Sequence, residues 1–214
     1  MEFGLKGRKV AIVATDGVEQ VEIEEPRRAL DAAGAVTHII APRDGSIQAV
    51  NHDEKGARIP VDRMLSDVRA SEYDALLLPG GVANPDRLRT DASAVQFVRE
   101  FMLGERPVAA ICHGAWLLVE AGAVAGRTLT SWPSLQTDIR NAGGEWVDVP
   151  CHVDDRLVTS RKPADLPVFC ATIVREFANR IDEARVDALV DQSFPASDPP
   201  PGPSAIGGEG AARA

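Results

Sequence analysis

The chain has 214 residues, 44% of them hydrophobic, and that is enough for one ordinary domain with a sizeable core. A formal charge of -9 argues against nucleic acid and anionic membrane as partners, since either needs a basic face. No stretch nears the 18 or so apolar residues of a membrane span and the N-terminus lacks a leader-like apolar run, so a cytoplasmic location is expected; three cysteines without CxxC spacing fit free thiols.

In chain order, Lys9 to Ala14 is an apolar run of strand length, and Glu24 to Ala33 reads as a helix stopped by Gly34. Val36 to Ala41 is the next strand. His38 within it has no partner at metal spacing, and no other metal pattern emerges. Ser46 to Val50 and Arg58 to Val61 suit a small antiparallel excursion at one sheet edge. Tyr73 to Leu78 is a further core strand that runs into Pro79-Gly80-Gly81, where two glycines let the backbone turn tightly and present N–H groups to a ligand. Neither GxGxxG nor GxxxxGK[ST] is present, so a nucleotide cofactor has no support, and no cofactor is expected.

Asp86 to Arg89 and Ala94 to Leu103 read as helical, and Val108 to Ile111 as a short strand buried on both faces. After Cys112, apolar residues recur at helical spacing (Trp116, Leu117, Val119) until Gly122, so a helix follows with almost no loop. Cys112 then sits at a strand-to-helix elbow, which strains its backbone and aims unpaired N–H groups at its sulfur; Gly114 is expected to clear the approach of a substrate. His113 is a candidate base. Cys151-His152 is also a Cys-His pair, but Val153-Asp-Asp-Arg-Leu157 after it reads as a hairpin turn, with no glycine or helix to shape an elbow. Cys151 and Cys170 are therefore expected to be inert.

Thr128 to Ser131, Glu145 to Asp148 and Leu157 to Ser160 read as the remaining strands. Ser134 to Ala142 reads as a helix, and Leu166 to Ile181 as a final amphipathic one with Val168, Phe169, Ile173 and Phe177 toward the core. Alternating strands and helices predict an α/β fold, a doubly wound sandwich with a mostly parallel sheet, in one domain over residues 1–190. Residues 191–214, rich in Pro, Gly and Ala, read as a flexible tail. In such sheets ligands bind at the carboxyl ends of strands, where Asp16 to Glu19, Gly80-Gly81 and Cys112 converge.

The elbow Ala110-Ile-Cys-His-Gly114, the turn Leu78-Pro-Gly-Gly81, the segment Glu19-Gln-Val-Glu-Ile23 and the stretches Leu129 to Pro133 and Thr159 to Leu166 together resemble the DJ-1/PfpI superfamily, in its PfpI-like protease and stress-protein branch. The resemblance runs from about Lys9 to Ile181. Ala115 departs from it, since many relatives carry proline there. The resemblance implies a class I glutamine amidotransferase-like fold, Cys112 as nucleophile and His113 as its base, with backbone donors at Gly80, Gly81 and His113. It assigns Glu19 as the acid on the sulfur and leaves Glu22 a bystander; spacing alone does not choose between the two.

It further implies that an acid from a second subunit, here Asp86, orients His113, so that a homodimer or higher homo-oligomer is the active unit. Neither Glu105 nor Glu120 is placed to serve instead. Asp86 equally suits a helix cap. The implied activity is a cysteine-dependent hydrolase in stress protection, foremost a deglycase or glyoxalase acting on methylglyoxal, glyoxal and their adducts. A peptidase is the enzymatic alternative, and a non-enzymatic redox sensor or chaperone using Cys112 oxidation is the other.

Overall fold

The structure is a computed structural model that describes residues 4–104 and 106–193, with side chains to residue 184; Glu105 and most of the Pro-rich segment expected as a tail lie outside the described residues. The strands are β1 (Lys9–Val13), β2 (Val18–Glu19), β3 (Val36–Ala41), β4 (Ser46–Asn51), β5 (Glu54–Pro60), β6 (Arg63–Met64), β7 (Ala75–Leu78), β8 (Val108–Ile111), β9 (Thr128–Leu129), β10 (Glu145–Trp146), β11 (Cys151–Asp154) and β12 (Leu157–Ser160). The helices are α1 (Gln20–Ala32), α2 (Ala83–Leu88), α3 (Ala92–Leu103), α4 (Ala115–Glu120), α5 (Gln136–Asn141) and α6 (Leu166–Ser193).

Seven strands form the central sheet in the order β11-β12-β8-β7-β1-β3-β6, parallel except for the edge strand β11. Every residue of β7 and β8 is buried, the signature of strands covered on both faces. Alternation sends Val10, Ile12, Ala109 and Ile111 into one core, with Ile23 and Leu30 of α1 and Phe169, Ile173 and Phe177 of α6. Ala11, Val13, Val108 and Ala110 enter the other, with Phe97 and Phe101 of α3 and Leu117 and Leu118 of α4. The expected α/β sandwich is the observed one. From β1 the chain steps to β3 on one side and returns to β7 on the other, so the crevice beyond β1 and β7 is the switch point at which such sheets bind ligands.

Four expectations are corrected. The Ser46–Pro60 hairpin is not an edge of the main sheet; β4 pairs with β2 instead, in a separate three-stranded sheet β2-β4-β5. β9 and β10 pair with each other, so β11 and β12 close the central sheet without them. Val168 is 45% exposed, because it lies off the stripe that carries the fully buried Phe169, Ile173 and Phe177. α6 also runs on to Ser193, into residues expected to begin the tail.

Candidate active site

β8 delivers Cys112 into the crevice. Ile111 is extended, and the chain then turns sharply: Cys112 has φ +59°, a left-handed conformation that costs a non-glycine residue on the order of 1–3 kcal/mol. One 3-10 turn, Cys112–Gly114, leads directly into α4. The bend solves the problem of adjacent side chains diverging, because it brings His113 Nδ1 to 3.3 Å from Cys112 Sγ. The backbone N–H groups of His113 and Gly81 also point at the sulfur. Gly114 has a different reason from the one expected: a Cβ there would strike the Leu78 carbonyl oxygen of β7, so it permits close packing of the elbow rather than substrate approach.

The acid at the sulfur is Glu22, not Glu19. α1 begins at Gln20, four residues earlier than the sequence suggests, and this puts Glu22 on the buried stripe with Pro26 and Leu30 at i, i+4 and i+8. Its carboxyl is fully buried against Cys112. Oε2 accepts from Gly80 N–H at 3.0 Å, Oε1 has no other partner, and the carboxyl is within hydrogen-bonding reach of the Cys112 thiol. Gly80 is required here, since a Cβ would land on Glu22 Oε2 and 2.6 Å from Cys112 Cβ. Its N–H is therefore committed to Glu22, the Gly81 N–H is shared between Glu22 and the sulfur, and the His113 N–H faces the sulfur.

Burial pushes the Glu22 carboxyl up to about 8, reinforced by the Glu19 charge. Burial and the charge of ionised Glu22 likewise push the Cys112 thiol up, contrary to the low value expected of an elbow. The two groups titrate as a pair: while Glu22 keeps its proton there is no carboxylate to repel a thiolate, and that proton can support the sulfur.

His113 is buried between two indoles. Trp132 stacks on its ring at 5.7 Å and Trp116 tilts against it at 5.2 Å, and its Nε2 lies 3.4 Å from Ser134 Oγ. Burial holds its imidazole down at about 4, so it is neutral at neutral pH and free to take a proton at Nδ1.

Glu19 stands elsewhere in the same cavity. Its carboxylate accepts the His52 backbone N–H at 3.1 and 3.4 Å, and His52 Nδ1 is 3.7 Å from Oε1. His52, at the β4–β5 turn with φ +57°, was not singled out in the sequence; without the pairing of β2 with β4, nothing places a turn 33 residues away beside Glu19. The cavity measures about 350 Å³, and Glu19, Glu22, His52, Asp53, Gly81, Cys112, His113 and Trp132 are among its walls.

Asp86 is exposed on α2, outside these walls, and one chain does not bring it to His113. Nor is it a helix cap, because α2 starts at Ala83 and Asp86 falls within its first turn. Glu120 is turned to Arg89 at 3.2 Å. His38 faces the Tyr73 hydroxyl at 3.1 Å, and no cluster of His, Cys, Asp or Glu suited to a metal occurs among the described residues. No helix among them is long and apolar enough to cross a membrane.

A strand-to-helix elbow at Cys112 on a core of six parallel strands, with an acid from α1 buried against its sulfur, defines a cysteine-centred α/β site. The DJ-1/PfpI family model matches residues 8–176. The chain is 43% identical to General stress protein 18 of Bacillus subtilis over 164 residues, 76% of this chain and 94% of that one. It is 40% identical to Protein/nucleic acid deglycase 2 of Escherichia coli over 163 residues, covering 76% and 93%. The crystal structure of Drosophila melanogaster DJ-1beta superposes with a TM-score of 0.73 at 25% identity, covering 86% of this chain and 98% of that one. The chain belongs to the DJ-1/PfpI family.

Proposed function

We propose that this protein is a cysteine-dependent hydrolase that removes methylglyoxal- and glyoxal-derived adducts from amino groups, a stress-protective deglycase. The observation that carries the reading is the pair of neutral proton carriers around Cys112: Glu22, poised at about 8, and His113 at 3.3 Å from the sulfur. A hemiaminal R-NH-CH(OH)-CO-CH3 and one water give R-NH2 and lactate. The thiolate, its proton taken by His113, displaces the amine; the C–S bond forms, the C–N bond breaks, and the amine leaves with that proton. The hydrogen on C1 then moves to C2, so one carbon is oxidised as its neighbour is reduced and no outside oxidant is needed. Water finally cleaves the thioester.

Moving a proton between adjacent carbons calls for a buried group with a pKa near the working pH, and Glu22 has one. The resemblance to a deglycase supports the same assignment. A homo-oligomer in which Asp86 of one copy faces His113 of another, in the cytoplasm, is part of the proposal.

The test incubates purified protein with methylglyoxal-treated Nα-acetyl-lysine, free methylglyoxal and casein in parallel, with Cys112→Ala as control, and reads lactate and freed amine. Cys112-dependent release of both from the adduct is expected. Cleavage of casein with no lactate would make the protein a peptidase. Turnover unaffected in His113→Ala would remove the base from the mechanism.

A further inference from the structure

Backbone N–H groups of the turn after β7 hold Glu22 and face the Cys112 sulfur, and one buried side chain ties that turn down. Asn84 lies in the first turn of α2 and is fully buried. Its Oδ1 accepts the Thr15 N–H at 2.7 Å, in the loop after β1. Its Nδ2 donates to the Pro79 and Gly80 carbonyl oxygens at 2.9 and 3.0 Å, in the turn after β7. The amide oxygen meets a donor and the amide nitrogen meets two acceptors, so the side chain has one satisfied orientation.

The two segments that Asn84 joins have no slack between them. A Cβ on Gly81 would strike the Gly17 carbonyl oxygen, and one on Gly17 would meet Ala83 Cβ at 2.6 Å. The Gly80 carbonyl that Asn84 holds also accepts the Glu19 N–H at 3.4 Å, just before α1 and its Glu22. The same two strands are joined again at their opposite ends, where the Asp74 carboxylate accepts the Lys9 N–H at 2.7 Å. That second tie lies a strand's length from the crevice and touches no wall of the cavity.

Hydrogen bonds weaken steeply with distance and angle, so the donors of Gly80 and Gly81 act only while the turn is held in place. We propose that Asn84 is a positioning residue: it pins the β7 turn to the β1 loop, keeping the Gly80 N–H on the Glu22 carboxyl and the Gly81 N–H between that carboxyl and the Cys112 sulfur. Each donor favours the charged form of the group it meets, so the first ionisation of the pair, whichever group it falls on, is easier with Asn84 than without it. The other titratable groups around the pair are His113 of the elbow and Glu19 of β2, with His52 and Asp53 further along the cavity wall; the turn itself, residues 79–82, brings none. None of these bonds to Asn84, whose three partners are all backbone. This role is independent of which substrate the thiol attacks and of whether it turns one over.

The experiment follows the Glu22 carboxyl by carbon-13 NMR through a pH titration, with Glu22→Gln to identify its signal, and needs no substrate. Wild type, with a midpoint near 8, is compared with Asn84→Ala, Asn84→Ser and Asp74→Ala. Asp74→Ala removes a bond of the same kind from the same strand pair and so controls for loosened strands. The midpoint is expected to rise by about half a unit or more in the Asn84 variants, a change of roughly threefold in the ionisation constant, and to stay in place in Asp74→Ala. No rise in the Asn84 variants, or an equal one in Asp74→Ala, overturns the role. Should Asn84→Ala fail to fold, Asn84→Ser carries the test; failure of both makes Asn84 a stability residue and overturns the role as well. Because Asp86 lies on the same helix, Asn84→Ala is repeated in an Asp86→Ala background. A rise of the same size there supports direct action on the turn, and its disappearance would route the effect through α2 and overturn the assignment.

Discussion

The chain contains the dipeptide Cys-His twice, and the two copies share almost nothing beyond their letters. At Cys112-His113 a left-handed backbone folds two neighbouring side chains onto each other, with backbone N–H groups of two segments aimed at the sulfur. Cys151-His152 lies in β11, paired with Ser160 and Thr159 of β12, and a pleated strand sends successive side chains to opposite faces. Burial raises the thiol pKa at both, so titration does not separate them. What separates them is the bend, paid for in strain at one residue and supported by Gly80 and Gly114, which have no room for a Cβ.

The largest effect should follow directly. Cys112→Ser is expected to lower turnover by on the order of 1,000-fold or more, and Cys151→Ser to leave it within about twofold. Peroxide should likewise oxidise Cys112 first, read by peptide mass spectrometry. Comparable losses of turnover in the two variants would mean that the elbow does not select the nucleophile.

The two glutamates sharpen the comparison, because they show what spacing hides. Glu19 stands just before α1, with its carboxylate turned to His52 rather than capping the helix, and Glu22 lies inside it. The resemblance assigns the acid to Glu19, spacing alone does not choose, and the helix read from Glu24 in fact begins at Gln20. The decisive signal was present all the same: Glu22, Pro26 and Leu30 are spaced at four, and an acid on an otherwise apolar stripe is a functional flag. The parallel sheet, the elbow and the three-segment convergence were legible because periodicity and glycines act locally. The His52 turn and the separate β2-β4-β5 sheet were not, since pairing between distant short strands leaves little local trace.

Placing Glu22 in the core has a thermodynamic consequence. Its native pKa of about 8 lies above the ordinary 4.5, so its contribution to stability is complete below 4.5 and is lost as pH rises through 8. His113, held at about 4 against 6.5, has the opposite sense: its contribution is complete above 6.5 and is lost as pH falls through 4. The two slopes oppose between 4.5 and 6.5, and Glu22 acts alone above that window. From pH 6.5 to 8 it should cost the wild type about 2 kcal/mol. Urea unfolding of wild type and Glu22→Gln at both pH values checks this, the variant losing less by that amount. Equal losses would place the buried proton elsewhere.

The smallest activity effect concerns Asp86, and its size follows from what His113 already has. Within one chain the ring is clamped by Trp116 and Trp132 and its Nε2 faces the Ser134 hydroxyl, so orientation does not depend wholly on an outside acid. What a second copy would add is charge. A carboxylate near a ring held at about 4 by burial raises it toward the working pH, which is part of the roughly 100- to 10,000-fold that a general base supplies. Asp86→Ala should therefore lower turnover by about tenfold and shift the acid limb of the pH–rate profile downward. Asp86→Glu should restore part of both. Mixing Asp86→Ala with inactive Cys112→Ala, once subunit exchange is shown by size-exclusion chromatography of a tagged copy, should raise activity above that of the Asp86 variant alone, since mixed assemblies contain sites with one intact Cys112 and one intact Asp86. No gain after proven exchange would confine the chemistry to a single chain, with Ser134 alone at Nε2.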